Sequence, residues 1–305
     1  MRSAAFSPDG SKLAYTLGRG IVSNVWRVPV LSERRATWSD AEQLTFDQAF
    51  VEFIDVSPDG QQLILSSDRS GNQDLWTLST SGGGGEMRQL TDDPAPDWRP
   101  SWSPDGNEIA FYSFRSGNRD VWLMGVDGSA PRQLTRSDEP DLHPFWSPDG
   151  AHIVFASTGF EGFQIYVVSR EGGQPRLLAD TPGDNLPAWS PDGRWIAYRS
   201  PRSGDLRIWR SPAEGGEAEQ LTHGPSLGQP RFSPNGKELY FAAGGDRGSD
   251  IWSVSLEDGA ERAVTDFHGR PGTIGGFGLA TDGSYLYFTW DDNIGDLWVM
   301  DVVEN

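Results

Sequence analysis

Trp102-Ser-Pro-Asp-Gly106 is one of seven copies of a single phrase, and the spacing of the copies decides the fold. The others are Phe6-Ser-Pro-Asp-Gly10, Val56-Ser-Pro-Asp-Gly60, Trp146-Ser-Pro-Asp-Gly150 and Trp189-Ser-Pro-Asp-Gly193, then the decayed Phe232-Ser-Pro-Asn-Gly236 and Leu279-Ala-Thr-Asp-Gly283. The Asp or Asn falls at 9, 59, 105, 149, 192, 235 and 282, at intervals of 50, 46, 44, 43, 43 and 47 residues. A period of that length, made of short strands and turns, is the signature of a β-propeller with one blade per repeat. Within the phrase, Pro pre-sets its backbone angle, Asp bonds locally, and Gly accepts the positive φ that closes a hairpin.

The repeat at 98–135 spells out one blade. Trp98–Ser103 reads as a first strand, Pro104-Asp105-Gly106 as its turn and Glu108–Ser113 as a second strand. The polar loop Arg115-Ser-Gly-Asn-Arg119 leads into a third strand at Asp120-Val-Trp122, and Arg132–Thr135 makes the fourth. Second strands such as Ile109-Ala-Phe-Tyr112, Ile153-Val-Phe-Ala156 and Leu239-Tyr-Phe-Ala242 are apolar throughout. An antiparallel sheet with one wet face would alternate instead, so both faces are expected to be covered, as in a blade wedged between two others. An aromatic residue recurs in the third strand at Trp26, Trp76, Trp122, Tyr166, Trp209, Trp252 and Trp298, where it would fill the gap to a neighbouring blade.

These patterns predict an all-β, seven-bladed β-propeller with four antiparallel strands per blade. The whole of 1–305 forms one domain, with blades near 1–48, 49–94, 95–138, 139–181, 182–224, 225–268 and 269–305. The last repeat offers strands near Gly276–Ala280, Tyr285–Thr289 and Asp296–Val302 but no fourth. The last blade is therefore expected to lack its outer strand, leaving Leu297–Val303 as an unpaired apolar edge. Proteins avoid such edges, so the chain reads as a fragment or start-site variant of a longer protein whose preceding residues supply the strand.

A formal charge of -19 argues against nucleic acid and anionic membrane surfaces, because binding phosphates takes clustered Lys and Arg. It suits a basic partner, and it also keeps a chain with 13 Trp soluble. The absence of Cys removes disulfides, thiolate metal sites and thiol catalysis. No run of 18 apolar residues is long enough for a membrane helix, and the opening Met-Arg-Ser-Ala-Ala-Phe6 has no apolar signal segment.

The phrase is followed by Asp-hydrophobic-Trp (Asp74–Trp76, Asp120–Trp122, Asp250–Trp252, Asp296–Trp298) and by Gln-Leu-Thr (43–45, 89–91, 133–135, 220–222). Together these resemble the propeller repeat of the TolB family over essentially the whole chain. The resemblance implies a propeller and a periplasmic or extracytoplasmic setting. Seven repeats here stand against the six blades of the TolB propeller.

Two sets of candidate contacts follow. The position three before the first residue of the phrase, held by Ser3, Phe53, Arg99, His143, Leu186, Gln229 and Gly276, is expected at the central channel. Its polar members Arg99, His143 and Gln229 are the predicted ligand contacts there. Loops entering the first strands carry Asp92, Asp93 and Asp97, then Asp138, Glu139 and Asp141, then Asp180 and Asp184. Of these, Asp97, Asp141 and Asp184 are the predicted rim contacts of an acidic mouth for a cationic or basic ligand. Polar loops also arise for solvation alone.

No catalytic residue, metal ligand set or cofactor is predicted. His143 alone among four His stands where a propeller lyase could hold a channel cation. Gly224-Pro-Ser-Leu-Gly228 has the nucleophile-elbow pattern without a following helix. Gly82–Gly85 lacks the Lys of a phosphate loop, and Asp291–Asp296 lacks the Glu that closes a calcium loop. The recurring loop Arg (69, 115, 202) and third-strand Asp (74, 120, 250, 296) read as structural, pairing with turn backbone. The expected function is a monomeric, non-catalytic binding or scaffolding propeller that presents its acidic loop face and channel to a protein or peptide segment. The alternatives are a propeller lyase or hydrolase with a metal near His143, or a regulatory propeller detached from a fused peptidase, kinase or winged-helix domain.

Overall fold

The computed structural model describes the chain apart from residues 1–2, 7–11, 19–21, 82–85, 160–161, 225, 246–247, 293–294 and 302–305. The strands at 3–6, 12–18 and 295–301 are described by their backbone alone. Among the described residues there is no α-helix, only a short 3-10 turn at Trp38–Asp40.

Five consecutive repeats each fold into a four-stranded antiparallel blade. Blade 1 runs through Val51–Val56, Gln62–Ser67, Asp74–Ser79 and Arg88–Gln89. Blades 2 to 5 repeat this order from Asp97–Trp102, Asp141–Trp146, Asn185–Trp189 and Leu227–Phe232.

The sixth blade corrects the expected count of seven. Thr273–Thr281 and Tyr285–Asp292 of the last repeat are completed by Val22–Pro29 and Glu42–Gln43 of the first. Innermost strands then touch in cyclic order from blade 1 to blade 6 and back to blade 1, so the ring is closed. What is left over, Ser3–Phe6, Lys12–Gly18 and Gly295–Asp301, pairs with itself as a separate three-stranded sheet. The expected last blade without an outer strand is therefore not formed. Strand 295–301 pairs on one side with Lys12–Gly18 and stands at the edge of that sheet, with no strand on its other side among the described residues.

The physical reason is repeat equivalence. Val22–Pro29 carries Asn24-Val-Trp26 and Gly295–Asp301 carries Asp296-Leu-Trp298, the same polar-apolar-Trp pattern, so either can serve as third strand beside Tyr285–Asp292. Counting phrases cannot reveal which one pairs. Parts of the expected edge (302–303), the first phrase's turn (7–10) and the loop Gly82–Gly85 lie outside the described residues.

Side-chain packing reinforces the closure. Trp38, from the N-terminal part, has its ring 4.8 Å from Trp290 and 5.3 Å from Phe267, with Trp26 at 4.5 Å. Ala36–Thr37 runs parallel to Thr265–Asp266 alongside it.

Six buried clusters, one per interface between blades, form the core. The third-strand aromatics Trp26, Trp76, Trp122, Tyr166, Trp209 and Trp252 each pack onto a different one of these clusters. Second strands are buried on both faces, as at Ile109–Ser113.

The repeated motifs are hydrogen-bonding devices. Ser103 Oγ donates to Asp105 Oδ1 at 2.6 Å and accepts from the Glu108 amide at 2.9 Å, while Gly106 turns at φ +72. Asn235 fills the Asp role in blade 5. Gln89 Nε2 donates to Asp74 at 3.0 Å and Thr91 Oγ1 accepts from the Leu75 amide at 3.0 Å, so Gln-Leu-Thr ties the short fourth strand to the third. The loop arginines do not pair chiefly with turn backbone. Arg115 and Arg202 reach Asp97 and Asp184 at 2.6 and 2.7 Å and stack on Trp122 and Trp209.

Candidate functional site

Every innermost strand breaks register with its neighbour where it meets the axis, for example between Trp98 and Ser101 and between Leu142 and Phe145. At these bulges Arg99, His143 and Leu186 take φ of 56, 58 and 55 degrees. Each precedes a proline, which disfavours the right-handed helical alternative. A left-handed conformation outside glycine costs about 1–2 kcal/mol. Three such residues at one repeat position form a shared structural device that directs these side chains.

Those side chains meet across the ring. The Phe53 ring of blade 1 lies 5.9 Å from the His143 ring of blade 3, and the Arg99 guanidinium of blade 2 sits 4.8 Å above Phe53. Blade 6 contributes Phe277, 5.5 Å from Phe53. In that blade Gly275 and Gly278 leave no room for a Cβ beside Thr289, which lets the strand bulge widely around Phe277. Gln229 of blade 5 donates to the Pro187 carbonyl of blade 4 at 3.3 Å. Thus the three predicted channel contacts, Arg99, His143 and Gln229, lie on the same bulged inner layer, with Phe53, Leu186 and Phe277 as its apolar part.

This layer holds polar atoms without partners. Arg99 is 2 % exposed, yet neither Nη1 nor Nη2 has a hydrogen-bond partner among the described residues. His143 Nδ1 and Gln229 Oε1 are also buried and unpartnered. Burial lowers the Arg99 pKa to about 9, with Arg231 adding repulsion, so the group remains a cation at neutral pH. Burial likewise holds His143 well below the ordinary imidazole value, and Arg99, Arg199 and Arg119 push the same way. His143 is consequently a neutral ring, flanked by Tyr112 at 6.0 Å and Phe163 at 6.3 Å. The carboxylates acting on Arg99 are Asp55 and then Glu52; burial raises the Glu52 pKa against the pull of Arg99.

On the turn side of this layer a cavity of about 220 Å³ is lined by Trp102, Trp146, Trp189 and the phrase prolines Pro104, Pro148 and Pro191. Asp55 and Arg231 also line it. Arg231 is fully engaged, donating to the Leu279 and Ile54 carbonyls and facing Asp55.

The predicted rim residues sit differently from the channel ones. Asp97, Asp141 and Asp184 are at most 1 % exposed. Asp97 and Asp184 pair with Arg115 and Arg202, and Asp141 accepts from Ser137 Oγ at 3.1 Å. Burial raises all three carboxyls, opposed first by the hydroxyls of Ser113, Ser157 and Ser200. Their neighbours Asp92, Asp138, Glu139 and Asp180 are the exposed acids of these loops.

The sequence reading missed Asp55, Arg231, Glu52, Arg119, Arg199 and Phe277. A signal existed for one pair: Asp55 and Arg231 both stand one residue before the phrase, where other blades carry Ser101, Phe145 and Ala188. An isolated acid and base at one otherwise small or apolar repeat position point at each other across a ring.

A closed six-bladed ring of this repeat defines the class: a β-propeller with a substituted axial layer. The TolB beta propeller domain family matches residues 1–158 and 139–267, and the chain belongs to that family. The chain is similar to a putative TolB from Agrobacterium tumefaciens, with a TM-score of 0.74 at 23% identity over 90% of this chain and 99% of that one. It is also similar to TolB from Acinetobacter baumannii, with a TM-score of 0.63 at 19% identity over 94% of this chain and 65% of that one. Among curated proteins, 104 residues are 32% identical to a Bacillus subtilis protein named uncharacterized peptidase YuxL, spanning 32% of this chain and 15% of that protein.

Proposed function

We propose that this is a non-catalytic binding propeller whose central channel receives a segment of a protein or peptide partner. The observation that carries the reading is the axial layer, where Arg99, His143 and Gln229 from three blades hold buried polar atoms without partners. Buried polar groups in folded proteins are nearly always satisfied, and a polar segment entering along the axis would complete these. Aromatic rings beside them supply apolar contact area for a side chain.

A metal-dependent lyase or hydrolase centred on His143 has weaker support. The charges that act on His143 are three arginines, which repel a cation. Among the described residues, no group of three or more His, Asp or Glu is placed to hold a metal ion.

The test is selection of binders from a displayed peptide library, followed by photo-cross-linking of the best binder. Adducts on Phe53, His143 or Phe277 support the channel reading. Adducts confined to outer strands, or no binder at all, would count against it.

A further inference from the structure

Within that channel-binding reading, on which this step rests, we infer that the anchoring group of the ligand is a carboxylate held by Arg99. Arg99 presents both terminal nitrogens without an acceptor while 2 % exposed. A buried guanidinium with no acceptor is costly, because desolvation is not repaid by hydrogen bonds or an ion pair. Arg231, the other arginine among the buried residues described, has its acceptors. Arg231 has two carbonyls and Asp55, and Arg199 Nε donates to Asn185 Oδ1 at 3.1 Å. The Arg99 guanidinium lies over the face of Phe53.

The unpartnered edge of Arg99 is the planar pair Nη1 and Nη2, which matches the two oxygens of a carboxylate; both atoms are covered, so the ligand reaches them by displacing the side chains above them. The surroundings select for the same charge. In a chain of net charge -19, the groups acting on His143 beside it are Arg99, Arg119 and Arg199. Glu52 and Asp55 are the acids that act on Arg99, and neither hydrogen-bonds it. Asp55 is already committed to Arg231 and to the Trp102 amide at 2.9 Å. The rings of Phe53 and Phe163 beside His143, with Phe277 against Phe53, suit an apolar or aromatic group next to the carboxylate, as in a peptide ending in such a residue.

The probes are N-acetylphenylalanine, its C-terminal amide and inorganic phosphate, each titrated calorimetrically into the wild type, Arg99→Met and Arg119→Gln. The acid is expected to bind the wild type at least about tenfold more tightly than the amide, the size of one charge-assisted hydrogen bond. Arg99→Met should lose that preference. It should also melt no lower than the wild type without ligand, because an unsatisfied buried charge has been removed; a purely structural Arg99 would give a lower melt. Arg119→Gln should weaken the acid by a smaller factor and leave the amide unchanged.

Equal affinity for acid and amide, acid preference surviving Arg99→Met, or binding of phosphate in place of the acid would each overturn the inference. If library peptides cross-link in the channel yet show no acid preference, the inference falls while the binding reading stands. If nothing enters the channel, both fall.

Discussion

Arg231 and Asp55 form an ion pair between blades 5 and 1, with Nη1 3.5 Å from Oδ1 and both residues under 10 % exposed. Arg231 also donates from Nε to the Leu279 carbonyl of blade 6 at 2.6 Å and from Nη2 to the Ile54 carbonyl at 3.1 Å. One side chain thus ties three blades together beneath the axial layer. Removing one member of a buried pair leaves an uncompensated charge and costs about 3–5 kcal/mol. Arg231→Met is expected to lose that much in chemical denaturation. The double variant Arg231→Met with Asp55→Leu should recover a measurable part of it, and no recovery would show that the carbonyl contacts alone matter.

The phrase turns make a pH prediction. Serine hydroxyls within each turn lower the carboxyls of Asp59, Asp105, Asp149 and Asp192, the last to about 2. A depressed folded-state pKa contributes stability that is present above the unfolded value, about 3.9, and is lost as pH falls through the folded one. Asn235 keeps the same acceptor without a charge. Replacing the four Asp with Asn should therefore preserve the fold at neutral pH and flatten the loss of stability between about pH 4 and pH 2. Buried carboxyls with raised values, such as Asp97 and Asp184, contribute with the opposite sign, but they are common to both proteins and cancel in the comparison. Parallel acid melts for the two proteins would contradict the turn assignment.

Trp38 gives a third prediction. It contacts Trp26, Phe267 and Trp290 and carries the Arg270 guanidinium at 4.7 Å, so it joins the N-terminal and C-terminal contributions to blade 6. Trp38→Ala is expected to cost about 3 kcal/mol by loss of packing. A denaturation midpoint unchanged from wild type would mean the cluster does not support closure.

Much of this was legible in the residues. Hairpin turns, doubly buried second strands and the aromatic third-strand position follow from local chemistry repeated at a fixed period, and each repeat repeats the evidence. Arg99, His143 and Gln229 could be placed on the axis for the same reason. Ring closure could not be read, because Val22–Pro29 and Gly295–Asp301 are near-equivalent strands and pairing is a non-local choice. The burial of Asp97, Asp141 and Asp184 was also hidden, since an acidic loop looks alike whether its carboxylate faces water or a neighbour's Arg115 or Arg202. Phe277 escaped notice because the bulge of blade 6 runs over four residues, 275–278, where those of blades 1 to 4 run over two.

Six-fold closure underlies the whole account, since it sets which inner strands share an axis. The register places Val22 opposite Asp292, and cross-strand neighbours have Cβ atoms about 4.5–5.5 Å apart, close to disulfide reach. The natural chain has no Cys, so a Val22→Cys, Asp292→Cys variant reports on this contact alone. Under mild oxidation the account predicts a disulfide in nearly all of the monomer, with a higher melting temperature than the reduced form. Free thiols persisting in the folded monomer would mean that these strands are not partners, and that the ring closes in another way.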